Sequence, residues 1–366
     1  MGVSDVLARL GVRRLHLLLV DVPGAFDLRV RVERACVIRG WRLALSPADA
    51  DGLVVCGSSV DSALVDAVEQ VWAQLPGPRV RAQVCDVGEV DEMLDGVLVS
   101  YRGWTTQRDP GTAGHVPEED RETADDGHGD DHGVDDGGSD GDMGDMDMDM
   151  SGPGGIPLAS GEDDRDGLEM DVLHLQLGPV LAFWPPGITV GCTVHGDVIT
   201  HVEALHSCAN EPSVKAGSAS DRAVYRAHCV TQLLALAGAE DLAALARRCR
   251  DRAADGDSPD LETLRHRVER SWLLRWSLRD VGVIEESAAR EHGWPSGWAG
   301  DTYDRLRRLL EEPTDADLAV ATVAAALPDI LAGAELASAR LTVASLLSHP
   351  PAPGAQRVAD ATAARV

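Results

Sequence analysis

Over residues 12–108 the apolar positions fall into short dense runs separated by longer stretches in which they recur at helical spacing. Residues 14–20, 52–56, 79–85 and 96–101 predict strands, and residues 26–39 and 60–74 predict helices. In the second helix Val60, Leu64, Val68 and Trp72 recur every four positions, an apolar stripe that must face a sheet and that ends before Pro76-Gly77-Pro78. Strands interleaved with helices of this length predict βαβ units around a mostly parallel sheet, so the first part of the chain is an α/β domain.

The pattern changes after residue 155. Residues 173–181 and 188–202 predict β segments joined through Trp184-Pro185-Pro186-Gly187, because a proline pair cannot occupy a central ladder. From there the periodicity is helical almost throughout: 222–237, 239–253, 261–276, 285–291, 303–312, and 316–347 with a break or kink at Pro328. Asp301 stands at an N-cap position with Asp304 three residues on, both favoured by the positive end of a helix dipole. This second part is α+β and mainly helical.

Between the two lies a segment of different composition. Residues 109–150 hold 16 acidic side chains and one arginine, with apolar residues almost restricted to methionine. Such a stretch cannot bury enough surface to offset chain entropy and predicts a self-repelling, extended tether. The expected organisation is therefore 1–108 as the α/β domain, 109–155 as the acidic tether, 156–350 as the β layer with its helical bundle, and 351–366 as a disordered tail. The tether carries about half of the formal charge of −28, which arises from 61 acidic and 33 basic residues. That balance opposes nucleic-acid binding and any broad attraction to an anionic bilayer.

Seven cysteines, at 36, 56, 85, 192, 208, 229 and 249, are odd in number, widely spaced and without a C-x-x-C pair, which fits a reducing, cytoplasmic setting. Residues 318–347 are interrupted by Pro328, Asp329, Glu335 and Arg340, so no membrane-spanning segment is predicted. A position in the cytoplasm, peripheral on the inner face of the plasma membrane, is compatible with both observations.

Several local sequences resemble the small, cluster-bearing subunit shared by respiratory complex I and the nickel–iron hydrogenases. These are Leu17–Asp21 followed by Val22-Pro23-Gly24, then Leu53-Val54-Val55-Cys56-Gly57, then Gln74-Leu75-Pro76-Gly77-Pro78-Arg79-Val80. The second part resembles the partner large subunit, through Leu177-Gly178-Pro179, Gly196-Asp197-Val198-Ile199, Leu278-Arg279-Asp280-Val281-Gly282-Val283 and Gly300-Asp301-Thr302-Tyr303-Asp304-Arg305. The resemblance implies a flavodoxin-like N-terminal domain fused to a hydrogenase-large-subunit-like C-terminal domain. Membrane and peripheral subunits of a complex I-like or hydrogenase-like assembly are the partners it implies.

The chemistry-bearing residues of that family are missing. Iron–sulfur clusters need thiolate ligands, commonly four. The positions that correspond to the family's early cysteine pair and the glutamate that follows it, G-x-C-x-x-C-E, are held by Ala25, Leu28 and Arg29, and Cys85 lies about two residues out of register with the later cysteine. Neither C-x-x-C pair of a nickel site is present, and the family's histidine loop is replaced by the apolar, proline-locked segment 178–187. No cofactor is expected, and the leading functional expectation is a redox-silent, non-catalytic fused peripheral-arm subunit. The alternatives are an active NADH:quinone oxidoreductase-type electron-transfer subunit whose iron–sulfur ligands have moved to Cys36, Cys56 and Cys85, and an acidic metal buffer.

Other candidate sites read more simply. Cys192, His195, His201, His206 and Cys208 are dense enough to suggest a metal, but strand alternation points Cys192 and His195 to opposite faces. Cys249 continues the stripe of Leu242 and Leu245 and reads as a core thiol. In the tether His115, His128, His132 and the methionines, Met146 and Met148 among them, form a weak metal-collecting set, for which a solvated spacer is the simpler reading. No G-x-G-x-x-G, Walker lysine, G-x-S-x-G or H-E-x-x-H motif occurs, so nucleotide-binding and hydrolase readings have no anchor.

Overall fold

A computed structural model describes residues 14–58, 61–107, 160–163, 169–207, 219–257, 260–295, 298–311 and 320–347. The histidines and methionines of the tether, Cys208 and the 351–366 tail lie outside them, as do the side chains of residues 203–207, His206 included.

The first half is built on β1 (His16–Asp21), β2 (Arg42–Leu43), β3 (Gly52–Cys56) and β4 (Val80–Val84), all parallel in the order β2-β1-β3-β4. Its helices are α1 (Phe26–Ile38), α2 (Ser62–Gln74) and α3 (Val90–Gln107). Leu17 and Leu19 of β1 join Val54 and Cys56 of β3 in a core roofed by α1 and α3, while Leu18, Val20, Leu53 and Val55 face α2 on the other side. Burial on both faces is why β1 and β3 read as unbroken apolar runs rather than as alternation. The α/β expectation holds at the level of this parallel sheet with helices.

One expected strand is a helix. Residues 96–101 belong to α3, whose Val90, Leu94, Val97 and Tyr101 line up at helical spacing and bury against the sheet. The run Val97-Leu98-Val99 looks β-branched in isolation, yet Val99 is 68% exposed, as an outward helical position requires.

The second half opens with β5 (Ser160–Asp163), β6 (Glu169–Leu177), β7 (Ile188–His195) and β8 (Val198–Ser207), an antiparallel sheet in sequential order. The helices follow: α4 (Ala219–Leu236), α5 (Glu240–Ala254), α6 (Leu261–Arg270), α7 (Trp272–Leu278), α8 (Glu286–Glu291), α9 (Thr302–Leu310), α10 (Val320–Leu331) and α11 (Leu336–Leu347). Residues 188–202, expected as β, form the β7–β8 hairpin, turning at Gly196 with φ +62°. Residues 261–276, expected as one helix, break at Ser271, whose hydroxyl accepts from the Leu274 amide and starts α7 afresh. The break expected at Pro328 falls later: Pro328 sits within α10, and the chain turns at Gly333 (φ +79°), where its amide donates to the Ile199 carbonyl of β8 at 2.7 Å.

Arg305 is the keystone of the helical part. It is fully buried on α9, and its guanidinium donates to the carbonyls of Gly300 and Gly282 (2.7 and 2.8 Å) and to the hydroxyls of Ser345 and Thr302 (2.8 and 3.2 Å). Burial lowers its pKa to about 10, with Asp301 pulling the other way. Asp301 and Asp304 form a reciprocal capping box at the start of the same helix.

Candidate functional site at the junction of the halves

Helix α1 is the element the two halves share. Its inward face, Leu28, Val32, Ala35 and Cys36, packs on its own sheet. Its outward face meets the second half: Phe26 and Val30 pack with Ala223 and Val224 of α4 and Ala253 of α5. The Phe26 ring lies 4.9 Å from that of Tyr225 and 5.2 Å, edge-on, from that of His228. A helix enclosed on both sides should be apolar all round. This one carries Arg29 and Glu33 inside.

Those two residues begin a chain of alternating charge. Asp21, at the carboxyl end of β1, accepts from Arg29 Nη1 at 2.8 Å, and Arg29 Nε donates to Glu33 Oε1 at 2.6 Å. The other oxygen of Glu33 accepts from Arg250 Nη1, which reaches across from α5. Arg250 also donates through Nε and Nη2 to Asp251 at 3.0 and 2.9 Å, and its Nη1 lies 3.2 Å from His228 Nδ1. Arg250 is fully buried, and Glu33 is 3% exposed. At the rim, Arg34 makes a bidentate pair with Asp255 at 2.6 and 2.8 Å.

The electrostatics follow from this order. Burial alone would raise the Glu33 carboxyl, but Arg29 and Arg250 more than cancel it and hold it well below the usual carboxylate range. Burial would likewise lower Arg29, and Asp21 with Glu33 outweigh it, so its pKa is raised. His228 stays neutral: burial pushes its pKa down to about 3, Glu33 opposing and the neighbouring Arg250 assisting. Its Nδ1 faces an arginine donor, so that nitrogen accepts and the ring proton sits on Nε2. Asp21, Arg29, Glu33, Arg250 and Asp251 are each hydrogen-bonded by another member of the network, and burial raises the Asp21 carboxyl against the pull of Arg29.

Of the positions compared with the cluster motif, Ala25 and Leu28 adjoin Arg29 at the start of α1. Ala25 precedes α1 and presses on Gly57, where a Cβ would stand 2.9 Å from the Cβ atoms of both Ala25 and Val22. Leu28 is sunk in the core beneath α1, Arg29 is spent on Asp21 and Glu33, and Cys85 is exposed just beyond β4. Burial pushes the Cys36 thiol up to about 12 and the Cys56 thiol higher still, so neither offers a thiolate. The residues present do not fit a cluster.

Segment 178–187 is pinned by three side chains in three different cores. Val180 packs against the α2-side core of the first half, Phe183 (φ +60°) against the helical core, and Trp184 into the core under the antiparallel sheet, with its indole N–H donating to the Ile188 carbonyl at 2.7 Å. Among the strand candidates, Cys192 is fully buried while His195 lies on the other face and His201 is exposed, so the alternation separates them as expected. Cys249 is buried, its thiol 3.5 Å from the Asp260 carbonyl. Among the described residues no group of three or more His, Cys, Asp or Glu side chains is placed to hold a metal ion.

Of the network, sequence reasoning reached Arg29, beside the missing cysteine pair, and Asp21, as the end of the first strand. Arg29 and Glu33, four apart on the same side of α1 as Phe26 and Val30, were the available signal. Comparison with protein-family models, with curated proteins and with solved structures finds no match to this chain.

Proposed function

We propose that the chain is a non-catalytic fused peripheral-arm subunit, a scaffold that presents a small-subunit-like and a large-subunit-like half as one body to the membrane and peripheral subunits of a complex I-like or hydrogenase-like assembly. The observation that carries the reading is the buried ion chain Asp21–Arg29–Glu33–Arg250–Asp251, which joins the halves where the resemblance would call for a cluster and supplies no ligand for one. Strand order supports it: β2-β1-β3-β4 is the first four strands of the flavodoxin-like order 2-1-3-4-5. The motif residues support it as well, since Gly282, Gly300 and Arg305 hold one another through Arg305 in a structural role that outlasts loss of the metal chemistry.

Affinity capture of the full-length chain from gently solubilised native membranes tests the reading. Co-recovery of antiporter-like or proton-channel subunits is expected, from a colourless, iron-free protein. Recovery of the chain alone, or an anaerobic preparation that is brown, absorbs near about 400 nm and contains iron bound through thiolates, overturns it.

A further inference from the structure

Helix α7 buries Leu274 and Leu278 and turns its other side outward. On that side Trp272 and Trp276 are 74% and 73% exposed, Leu273 is 57% exposed, and Val283 follows at 50%. At about 100° per residue, the positions 272, 273 and 276 share an arc of roughly 100° opposite the buried pair. Residues so far exposed do not line a groove; they stand proud of the surface. Large aromatic side chains left out in this way need a reason.

Their surroundings supply one. Residues 261–279 hold five arginines against two glutamates in a chain of net charge −28. Arg265 is paired with Glu269 at 3.3 Å, whereas Arg267, Arg270, Arg275 and Arg279, all exposed, have no carboxylate partner among the described residues. Arg275 is held in place by donating to the Glu269 carbonyl at 2.7 Å and by its position 5.7 Å over the Tyr303 ring. Projecting tryptophans with exposed arginines before and after them in the chain match a bilayer interface, where indole rings settle at headgroup depth and guanidinium groups meet anionic lipid. The overall acidity does not cancel this match, because charge is screened beyond about 8 Å at physiological ionic strength and an opposing surface senses the local face.

We propose that α7 and the end of α6 form a docking face for an anionic bilayer surface, with Trp272, Leu273 and Trp276 dipping into the headgroup region and Arg267, Arg270, Arg275 and Arg279 contacting lipid phosphates. The face rests on these residues alone and stands or falls independently of any partner subunits.

The test is co-sedimentation of the full chain with vesicles of phosphatidylcholine alone and of phosphatidylcholine mixed with phosphatidylglycerol, at low and high salt. Binding to the mixed vesicles, a blue shift of tryptophan emission, and loss of binding at high salt are expected. The double variant Trp272→Ala/Trp276→Ala should lose at least about tenfold in partitioning, and Arg267→Glu/Arg270→Glu should lose more, since each arginine near an anionic surface is worth about fivefold. All four positions are exposed, and circular dichroism with an unchanged melting profile confirms that the variants fold. Equal binding to neutral vesicles, no binding to either, retention of binding in both variants, or concentration-dependent self-association abolished by the tryptophan variant in place of lipid binding would overturn the proposal.

Discussion

Replacing Glu33 by glutamine is the sharpest probe of the junction. The substitution keeps the shape of the side chain and removes one negative charge from between two guanidinium groups. Glu33 receives Arg29 on one oxygen and Arg250 on the other, so the amide must present its NH2 group to one of them, donor facing donor. Arg29 retains Asp21, but Arg250, with no exposed surface, keeps only Asp251 and the neutral His228. Removing one partner of a buried pair typically costs about 3–5 kcal/mol, because the remaining charge is uncompensated. Urea titrations should be followed by far-ultraviolet dichroism and by tryptophan fluorescence together. In the parent protein the two probes should coincide; in Glu33→Gln the transition should move to lower urea and the probes should separate as the halves uncouple. The double variant Glu33→Met/Arg250→Met should fall short of the summed single losses by about 1–3 kcal/mol, since it removes both charges at once. A loss below about 1 kcal/mol in Glu33→Gln, within the range of exposed pairs, would refute the buried-lock account.

Four further outcomes follow from the same structure. His228 has a folded pKa near 3 against 6.5 unfolded, so the unfolded state binds the extra proton, and stability present above pH 6.5 is lost as pH falls towards 3. Between about pH 6.5 and 4.5, before Glu33 begins to contribute, the loss should be about 2–3 kcal/mol, and His228→Gln, which keeps an acceptor for Arg250, should flatten it in urea titrations run at each pH. Gly57→Ala places a Cβ at φ +107° against Ala25 and Val22 and should cost about 2–4 kcal/mol, read as a lowered melting temperature. Arg305→Met leaves the Gly282 carbonyl without its guanidinium donor and takes one hydrogen bond each from the Gly300 carbonyl and the Ser345 and Thr302 hydroxyls, which keep another partner, and should cost about 1–3 kcal/mol by the same measure. Among Cys36, Cys56 and Cys85, iodoacetamide should label only Cys85 in the native protein, with the other two reacting after unfolding, as mass spectrometry of tryptic peptides will show.

Much of the architecture was legible because local patterns decided it. Runs buried on both faces gave β1 and β3, and the alternation of Val80, Ala82 and Val84 with Arg81 and Gln83 gave β4, each to within about a residue or two of its ends, and the apolar stripe of α2, carried by Leu64 and Val68, faces the sheet as its spacing implied. Where reading failed, a local pattern was ambiguous or too short. Val97-Leu98-Val99 suits a strand as well as it suits α3, β2 spans only two residues, and the apolar positions Leu264, Val268, Leu274 and Leu278 run past Ser271 at near-helical spacing and hide the new N-cap. The junction was illegible for a different reason: Glu33 and Arg250 are 217 positions apart, and one sequence carries no record of which distant charges meet.

Helix α1 lies between its own sheet and helices α4 and α5, so side-chain contacts and ion pairs, and not the peptide link alone, hold the halves together. If that hold is sufficient, a chain cut by a protease within residues 109–150 is expected to behave as a heterodimer, its two fragments eluting together in gel filtration, and separate elution would show that it is not. The covalent link then supplies only local concentration, and the embrace around Phe26, Val30 and Glu33 supplies the affinity.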